Sequence, residues 1–411
     1  MSSSPTYIDL FAGAGGLSEG FIRAGFEPVA HVEMDKNACD TLKTRLAYHY
    51  LIKKNKQELY KRYLLKEISR DILYDNVPSS LLDTVINAEI NSKTINGIFE
   101  SIDKKLGKRK PDVIIGGPPC QAYSLAGRAR DENNMKRDKR NFLFKYYAEF
   151  LKHYRPEYFV FENVTGLLSA RNYLDQMLDL FGSRNVGYNV EYRIIDASAF
   201  GVVQTRKRVI IIGRRNYASF EYPSLISETF RFETRKHIFS DLPVIRPGET
   251  KDNKEYARET NEYLQNYSIR NGLDFVSQHI ARPHIERDLQ IYRIAVEKWL
   301  LSKERLKYNE LPKELKTHTK EDIFRDRFKV VDPDGPSHTL VAHIAKDGHY
   351  YIYPDLRQVR SISVREAARI QSFPDDYYFE GGRTAAFKQI GNAVPPILAQ
   401  KISTVLKTCL Q

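Results

Sequence analysis

Residues Thr6 to Phe11 form a short apolar run that leads into Ala-Gly-Ala-Gly-Gly and then into Leu17, Gly20, Phe21 and Ala24 at helical spacing. Strand, tight glycine turn and helix in that order make a β-α unit, and the unit recurs. Val29 to Glu33, Val85 to Ile90, Asp112 to Ile115 and Tyr158 to Glu162 are further β-like runs with helical stretches between them. This alternation predicts an α/β fold with a doubly wound, mostly parallel sheet. Tyr188 to Asp196 and Arg208 to Gly213 add two more strands.

The rhythm divides the 411 residues into three parts. Residues 1–218 form the sheet domain, with a Lys-, Leu- and Tyr-rich helical insertion at about 43–75 on its flank. From 219 to 355 Pro and Gly are scattered and the β-α order is lost, which predicts a smaller, irregular second domain. Residues 356–411 return to helical patterning and to the first domain. No apolar stretch approaches the roughly 20 residues that span a bilayer, and Met-Ser-Ser-Ser-Pro-Thr is no secretory signal, so the expected location is the cytoplasm. Cys39, Cys120 and Cys409 are the only cysteines, which argues for free thiols in a reducing compartment. A net charge of +12 points to a polyanionic partner.

In Asp9-Leu-Phe-Ala-Gly13-Ala-Gly15-Gly16 the glycines allow a tight turn and close approach of a ligand. Glu33 follows Gly13 by 20 residues at the end of the next strand, where a carboxylate accepts both hydroxyls of a ribose. The third glycine of a dinucleotide fingerprint is missing, and no phosphate-loop Gly-Lys-Ser/Thr occurs. A nucleoside without a phosphate chain, such as S-adenosylmethionine, is therefore favoured.

Cys120 stands just past the fourth strand and Glu162 at the end of the fifth, on the carboxyl-end rim where open α/β sheets bind ligands. A thiolate and a carboxylate facing one pocket suggest covalent catalysis with acid assistance; a buried small cysteine beside a helix-capping acid is the plainer alternative. Gln204-Thr-Arg206-Lys-Arg208 adds two arginines that alternation in an extended chain would put on one face. They could pair with Glu162, contact a base oxygen or hold a phosphate.

Asp9-Leu-Phe-Ala-Gly, Gly117-Pro-Pro-Cys-Gln121, Glu162-Asn-Val164, Gln204-Thr-Arg-Lys-Arg208, Arg365-Glu-Ala-Ala-Arg-Ile-Gln371-Ser-Phe-Pro374 and Gln389-Ile-Gly-Asn392-Ala-Val-Pro-Pro396 together resemble, in content and order, the DNA cytosine-5 methyltransferases. The resemblance covers the catalytic core and not the interior of the second domain. It implies an S-adenosylmethionine-dependent enzyme, without a metal, that adds Cys120 to C6 of a flipped cytosine. Glu162 matches the residue at ring N3, and Arg206 and Arg208 match those at the base oxygen and its network. Phe11, Gly13, Gly15, Glu33, Met34, Pro119, Asn392 and Ala393 match the cofactor pocket. For the acid that meets the adenine amino group, Glu89 and Asp71 both fit locally, and Glu89 is preferred because it closes a β-like run.

The same resemblance makes the basic stretch Ser124 to Arg140 a flap over DNA, with Gly127 a possible hinge and Gln121, Ser124, Arg128 and Arg130 as contacts. Ala126 stands where some relatives have serine. Residues 219–355 inherit target recognition by position, with Thr339 as a backbone contact. The implied partner is double-stranded DNA, bound by a monomer, with a cognate restriction endonuclease as a further member of the system. Two rivals remain. A tRNA methyltransferase on this scaffold would usually carry Cys-Phe-Thr in the recognition region, and no such tripeptide occurs; a dead DNA-binding protein would not need Cys120, Glu162 and both arginines. Arg282, His284 and Arg287 could touch DNA but are read first as braces, and His279 with His284 lacks the companions of a metal site.

Overall fold

The computed structural model describes residues 4–119, 142–170, 173–215, 220–317 and 326–410. Seven strands form one sheet in the order β3-β2-β1-β4-β5-β7-β6. They are β1 (Thr6–Leu10), β2 (Glu27–Glu33), β3 (Val85–Asn87), β4 (Val113–Gly116), β5 (Tyr158–Val164), β6 (Tyr188–Asp196) and β7 (Lys207–Arg215). β1 to β5 run parallel, and β7 is antiparallel to both β5 and β6. The expected doubly wound, mostly parallel sheet is the one observed.

Eleven helices matter to the site: α1 (Gly16–Arg23), α2 (Lys36–Lys53), α3 (Gln57–Leu64), α4 (Arg70–Asp75), α5 (Ile95–Leu106), α6 (Leu143–Tyr154), α7 (Tyr173–Gly182), α8 (Glu286–Ser302), α9 (Val364–Ile370), α10 (Arg383–Asn392) and α11 (Pro396–Leu410). Strand alternation sorts the core into two layers. Tyr7, Ile115, Val160 and Ile210 face α1 and α11, whereas Ile8, Ile114, Phe159 and Ile211 face α5, α6 and α7. The last helix closes on the first: a Cβ at Gly20 would stand 2.4 Å from Ala399 Cβ, so glycine lets the two helices touch, and Ser403 Oγ donates to Gly20 O. Thus residues nearly 400 apart in sequence share one face of the sheet.

α2 starts at Lys36 and carries α3 and α4 on its outer side through Leu51, Tyr60, Leu64 and Leu73. In the region after β7, Ile238, Phe239, Leu242 and Tyr263 join the α1 side of the main core, while Ile291, Tyr292, Val296, Leu306, Phe328 and Ile352 form a cluster of their own around α8. α9 belongs to the main core through Val364, Ala367, Ala368 and Ile370, and all of its residues are buried. Its charges are paired there: Arg360 grips Glu366 with two bonds of 2.7 Å, and Arg369 spans Asp241 and Asp375 at 2.5 Å each. Arg365 donates to the carbonyls of Ser277, Pro374 and Tyr377.

Two buried histidines set an acid limit on stability. Burial pushes the imidazoles of His31 and His279 down to about 4. The unfolded chain takes up these protons near pH 6.5, the folded chain only near 4, so their contribution is fully present above 6.5 and is lost as pH falls toward 4. The melting temperature is expected to drop by several degrees between pH 7.5 and pH 5; an unchanged value would contradict neutral burial of these rings.

Candidate active site at the carboxyl rim

The glycine turn is built around one carboxylate. Glu33 Oε2 accepts the Gly13 amide at 2.8 Å and Oε1 accepts the Asp35 amide at 2.7 Å, which ties the end of β2 to the turn after β1 and to the start of α2. Each carboxylate oxygen keeps a second lone pair, enough for a pair of hydroxyls. Asp35 caps α2 by accepting from Asn37 and Ala38. Gly13 has φ 55°, and a Cβ there would meet nothing within 4 Å. Gly15 is different, because a Cβ would strike Leu42 and Tyr377; its freedom serves packing of the turn. Phe11 also lies in the left-handed region at φ 57°, a strain of about 1–2 kcal/mol that turns the chain sharply out of β1. Met34 is 62% exposed beside Glu33. Asn87, which carries no motif, donates its side-chain amide to the carbonyls of Glu33 and Met34. An open glycine edge, an oriented carboxylate and an exposed thioether in one corner fit a nucleoside. Glu89 lies two residues beyond Asn87 and is exposed, whereas Asp71 is in the first turn of α4. Beneath this corner, burial and the neighbouring Glu33 hold the Asp9 carboxyl well above the ordinary range.

One strand over, the two glycines after β4 have separate tasks. A Cβ at Gly116 would stand 2.2 Å from the Leu10 carbonyl oxygen, and one at Gly117 would stand 2.7 Å from Glu162 Oε2. The second approach seats the Gly-Pro-Pro turn directly on the Glu162 carboxylate. Arg208 holds the other oxygen, with Nε 2.8 Å from Oε1 and both side chains largely buried. Pro118 is buried and Pro119 exposed. Cys120, Gln121, Ser124, Ala126, Gly127, Arg128 and Arg130 lie outside the described residues. Gly117→Ala is expected to displace the Glu162 carboxylate and to lower kcat on the order of 10²-fold, since a shift near 1 Å within an active site costs about that much. Its melting temperature should stay within a few degrees of wild type; wild-type kcat in a folded variant would show that the close approach is unimportant.

Arg206 is held by backbone carbonyls. It stands one residue before β7, where exposed Thr205 and Lys207 alternate with buried Arg206 and Arg208, and its guanidinium donates to the carbonyls of Leu340, Ala393 and, at 3.4 Å, Gly391. Those bonds make it a brace between β7, the 336–345 segment and the end of α10. Gln204 and Gln371 reinforce it, the first donating to the second at 2.8 Å and the second to Ile390 O and Ala393 O. Ala393 is therefore buried and pinned by its carbonyl, while Asn392 beside it is exposed. Thr339 Oγ1 donates to Thr205 O at 2.7 Å, so its hydroxyl stitches the same seam. Arg282 donates to the carbonyls of Ile344, Ala345 and Lys346, and His284 bonds to Ser361, as braces do. His279 bridges Ser363 and the Pro243 carbonyl. Arg287 is exposed and only loosely paired with Asp288 at 4.0 Å. Among the described residues no group of three or more His, Cys, Asp or Glu is placed to hold a metal, and no helix is long and apolar enough to cross a membrane.

A glycine corner shaped for a nucleoside and a Gly-Pro-Pro turn seated on an arginine-paired glutamate, on one sheet rim, define a class of α/β group-transfer enzyme. The C-5 cytosine-specific DNA methylase family matches residues 6–79 and 84–408, and the chain belongs to it. It is a DNA (cytosine-5-)-methyltransferase. It is 42% identical to the type II methyltransferase M.Bpa9945I of Bacillus paralicheniformis, over 97% of this chain and 98% of that protein. To the type II methyltransferase M.DdeI of Desulfomicrobium norvegicum it is 32% identical over 96% of this chain and 87% of the other. Among solved structures, a prophage-encoded E. coli protein described as a DNA modification methyltransferase superposes with a TM-score of 0.64, covering 99% of each chain at 23% identity, a likeness of fold.

Proposed function

We propose that the chain methylates cytosine within a specific double-stranded DNA sequence, as a monomer in the cytoplasm, and is the modification member of a restriction-modification system with a separate endonuclease. The relatives named as type II methyltransferases, matched along almost the whole chain, support the second half of this reading. The observation that carries the first is the seat of Gly117 on the Arg208-paired Glu162, which brings the residues leading into Cys120 against the acid.

The target base is swung out of the duplex at a cost of a few kcal/mol. Cys120 Sγ then adds to C6, and the C5–C6 electron pair moves to C5, which becomes nucleophilic. Glu162, oriented by Arg208, holds the N3 edge of the ring and favours that addition. S-adenosylmethionine, when bound, supplies an electrophilic methyl group. Gly13 and Glu33 would hold its ribose end, Phe11 and Met34 its adenine, Glu89 the adenine amino group, and Pro119, Asn392 and Ala393 the opposite wall. Water takes the C5 proton, the C–H pair re-forms the C5–C6 double bond, and the C6–S bond breaks to release Cys120 as thiolate. Arg206 acts by positioning, and Gln121, Ser124, Arg128, Arg130 and Thr339 are the proposed DNA contacts.

Bisulfite sequencing of DNA from cells expressing only this enzyme tests the reading. Protected cytosines are expected in a single sequence context; conversion of every cytosine despite soluble expression would refute it.

A further inference from the structure

The amino-end edge of the sheet carries a charge arrangement that the catalytic rim does not use. Lys104, Lys105, Lys108, Arg109 and Lys110 are five cations in seven residues, all exposed except the half-buried Lys105. Gly107, at φ 60°, ends α5, and Asp112 anchors the other side of the turn by accepting from the amide and hydroxyl of Thr6. The run is thus held at both ends. Among the described residues none of the five is ion-paired to a carboxylate. Of the acids beside them, Asp103 pairs with His153 and Glu157 with Arg214, while exposed Glu100 stands one turn before Lys104 on α5. Parallel pairing of Val113 with Tyr158 sets the turn before β4 next to the turn before β5, where exposed Arg155 accepts from Arg215 through its carbonyl. Neighbouring strands are about 4.8 Å apart, so Arg155 extends the cluster by one strand.

That cluster points away from the active site. Gly117 follows the carboxyl end of β4 and Glu162 is the fifth residue of β5, so about 13 Å of strand separates each from the amino-end edge. A duplex engaged at the catalytic rim cannot also cover this edge. We propose that the amino-end edge is a second, sequence-independent binding surface for double-stranded DNA, so that one protein molecule holds two duplex segments.

The test uses the full-length protein with two duplexes of about 40 base pairs, long enough for several phosphate contacts on each, one biotinylated and one fluorescent, at low salt. Wild type is expected to retain the fluorescent duplex on streptavidin. The variant Lys104→Gln, Lys108→Gln, Arg109→Gln, Lys110→Gln is expected to lose at least ten-fold of that retention. Its methylation of plasmid DNA and its melting temperature should stay close to wild type. The salt dependence of retention should flatten by about 0.9 in log–log slope for each phosphate that is no longer neutralised. Undiminished retention in the variant overturns the proposal, since bridging would then come from paired catalytic sites; so does absence of bridging by wild type, or retention of single-stranded RNA but not duplex.

Discussion

Cys120→Ala is expected to abolish methyl transfer, by about 10⁴-fold or more on the scale of deleted nucleophiles, while duplex binding persists within a few-fold. Removing the thiol takes away the nucleophile proposed to add at C6 and so to push electrons into C5, whereas the cationic surface and the cofactor corner stay. A free cysteine has a pKa of about 8.5, so a small thiolate fraction is present at neutral pH. A duplex carrying 5-fluorocytosine should trap the wild-type protein covalently with S-adenosylmethionine, because fluorine cannot leave as the C5 proton does. Normal turnover by Cys120→Ala, or failure to trap during active turnover, would remove Cys120 from the role proposed.

The second large effect is on stability. Arg369→Met is expected to cost about 3–5 kcal/mol, the usual penalty for stranding buried partners of an ion pair. Asp241 and Asp375 are fully buried, and each accepts a 2.5 Å bond from this guanidinium. Burial alone would push the Asp375 carboxyl up, but Arg369, followed by Arg365, outweighs it and holds the group below the carboxylate range. Arg270 and Tyr256 retain weaker bonds to the two acids, which limits the loss. The midpoint of thermal unfolding should fall by roughly 6 °C or more. Replacing Asp241 and Asp375 by leucine together with Arg369→Met should recover much of it, because no stranded charge is left; an equal loss in both variants would mean that packing, and not charge, is what Arg369 contributes.

The legible part of the fold was its periodic part. Val113 to Ile115 and Val209 to Ile212 are buried on both faces of the sheet and read as unbroken apolar runs, so strand identity is written locally. Glu33 and Glu162 were legible for the same reason: each stands at or near a strand's carboxyl end, and those ends share a rim. Alternation puts Arg206 and Arg208 on the buried side of the chain, but not the partners of Arg206, because the carbonyls of Leu340 and Ala393 that it meets lie more than 130 residues away. Asn87 carried no motif; only the β2–β3 pairing shows that its amide reaches the Met34 carbonyl.

By itself the sequence determined the β-α order and the place of Glu33 and Glu162 at or near strand ends, since those depend on short-range periodicity. The tertiary structure alone decided what each arginine pairs with, why Gly117 must lack a side chain, and that residues 391–399 close the wall beside the glycine turn. Those are meetings between segments far apart along the chain, and their geometry is set by packing that no local pattern records.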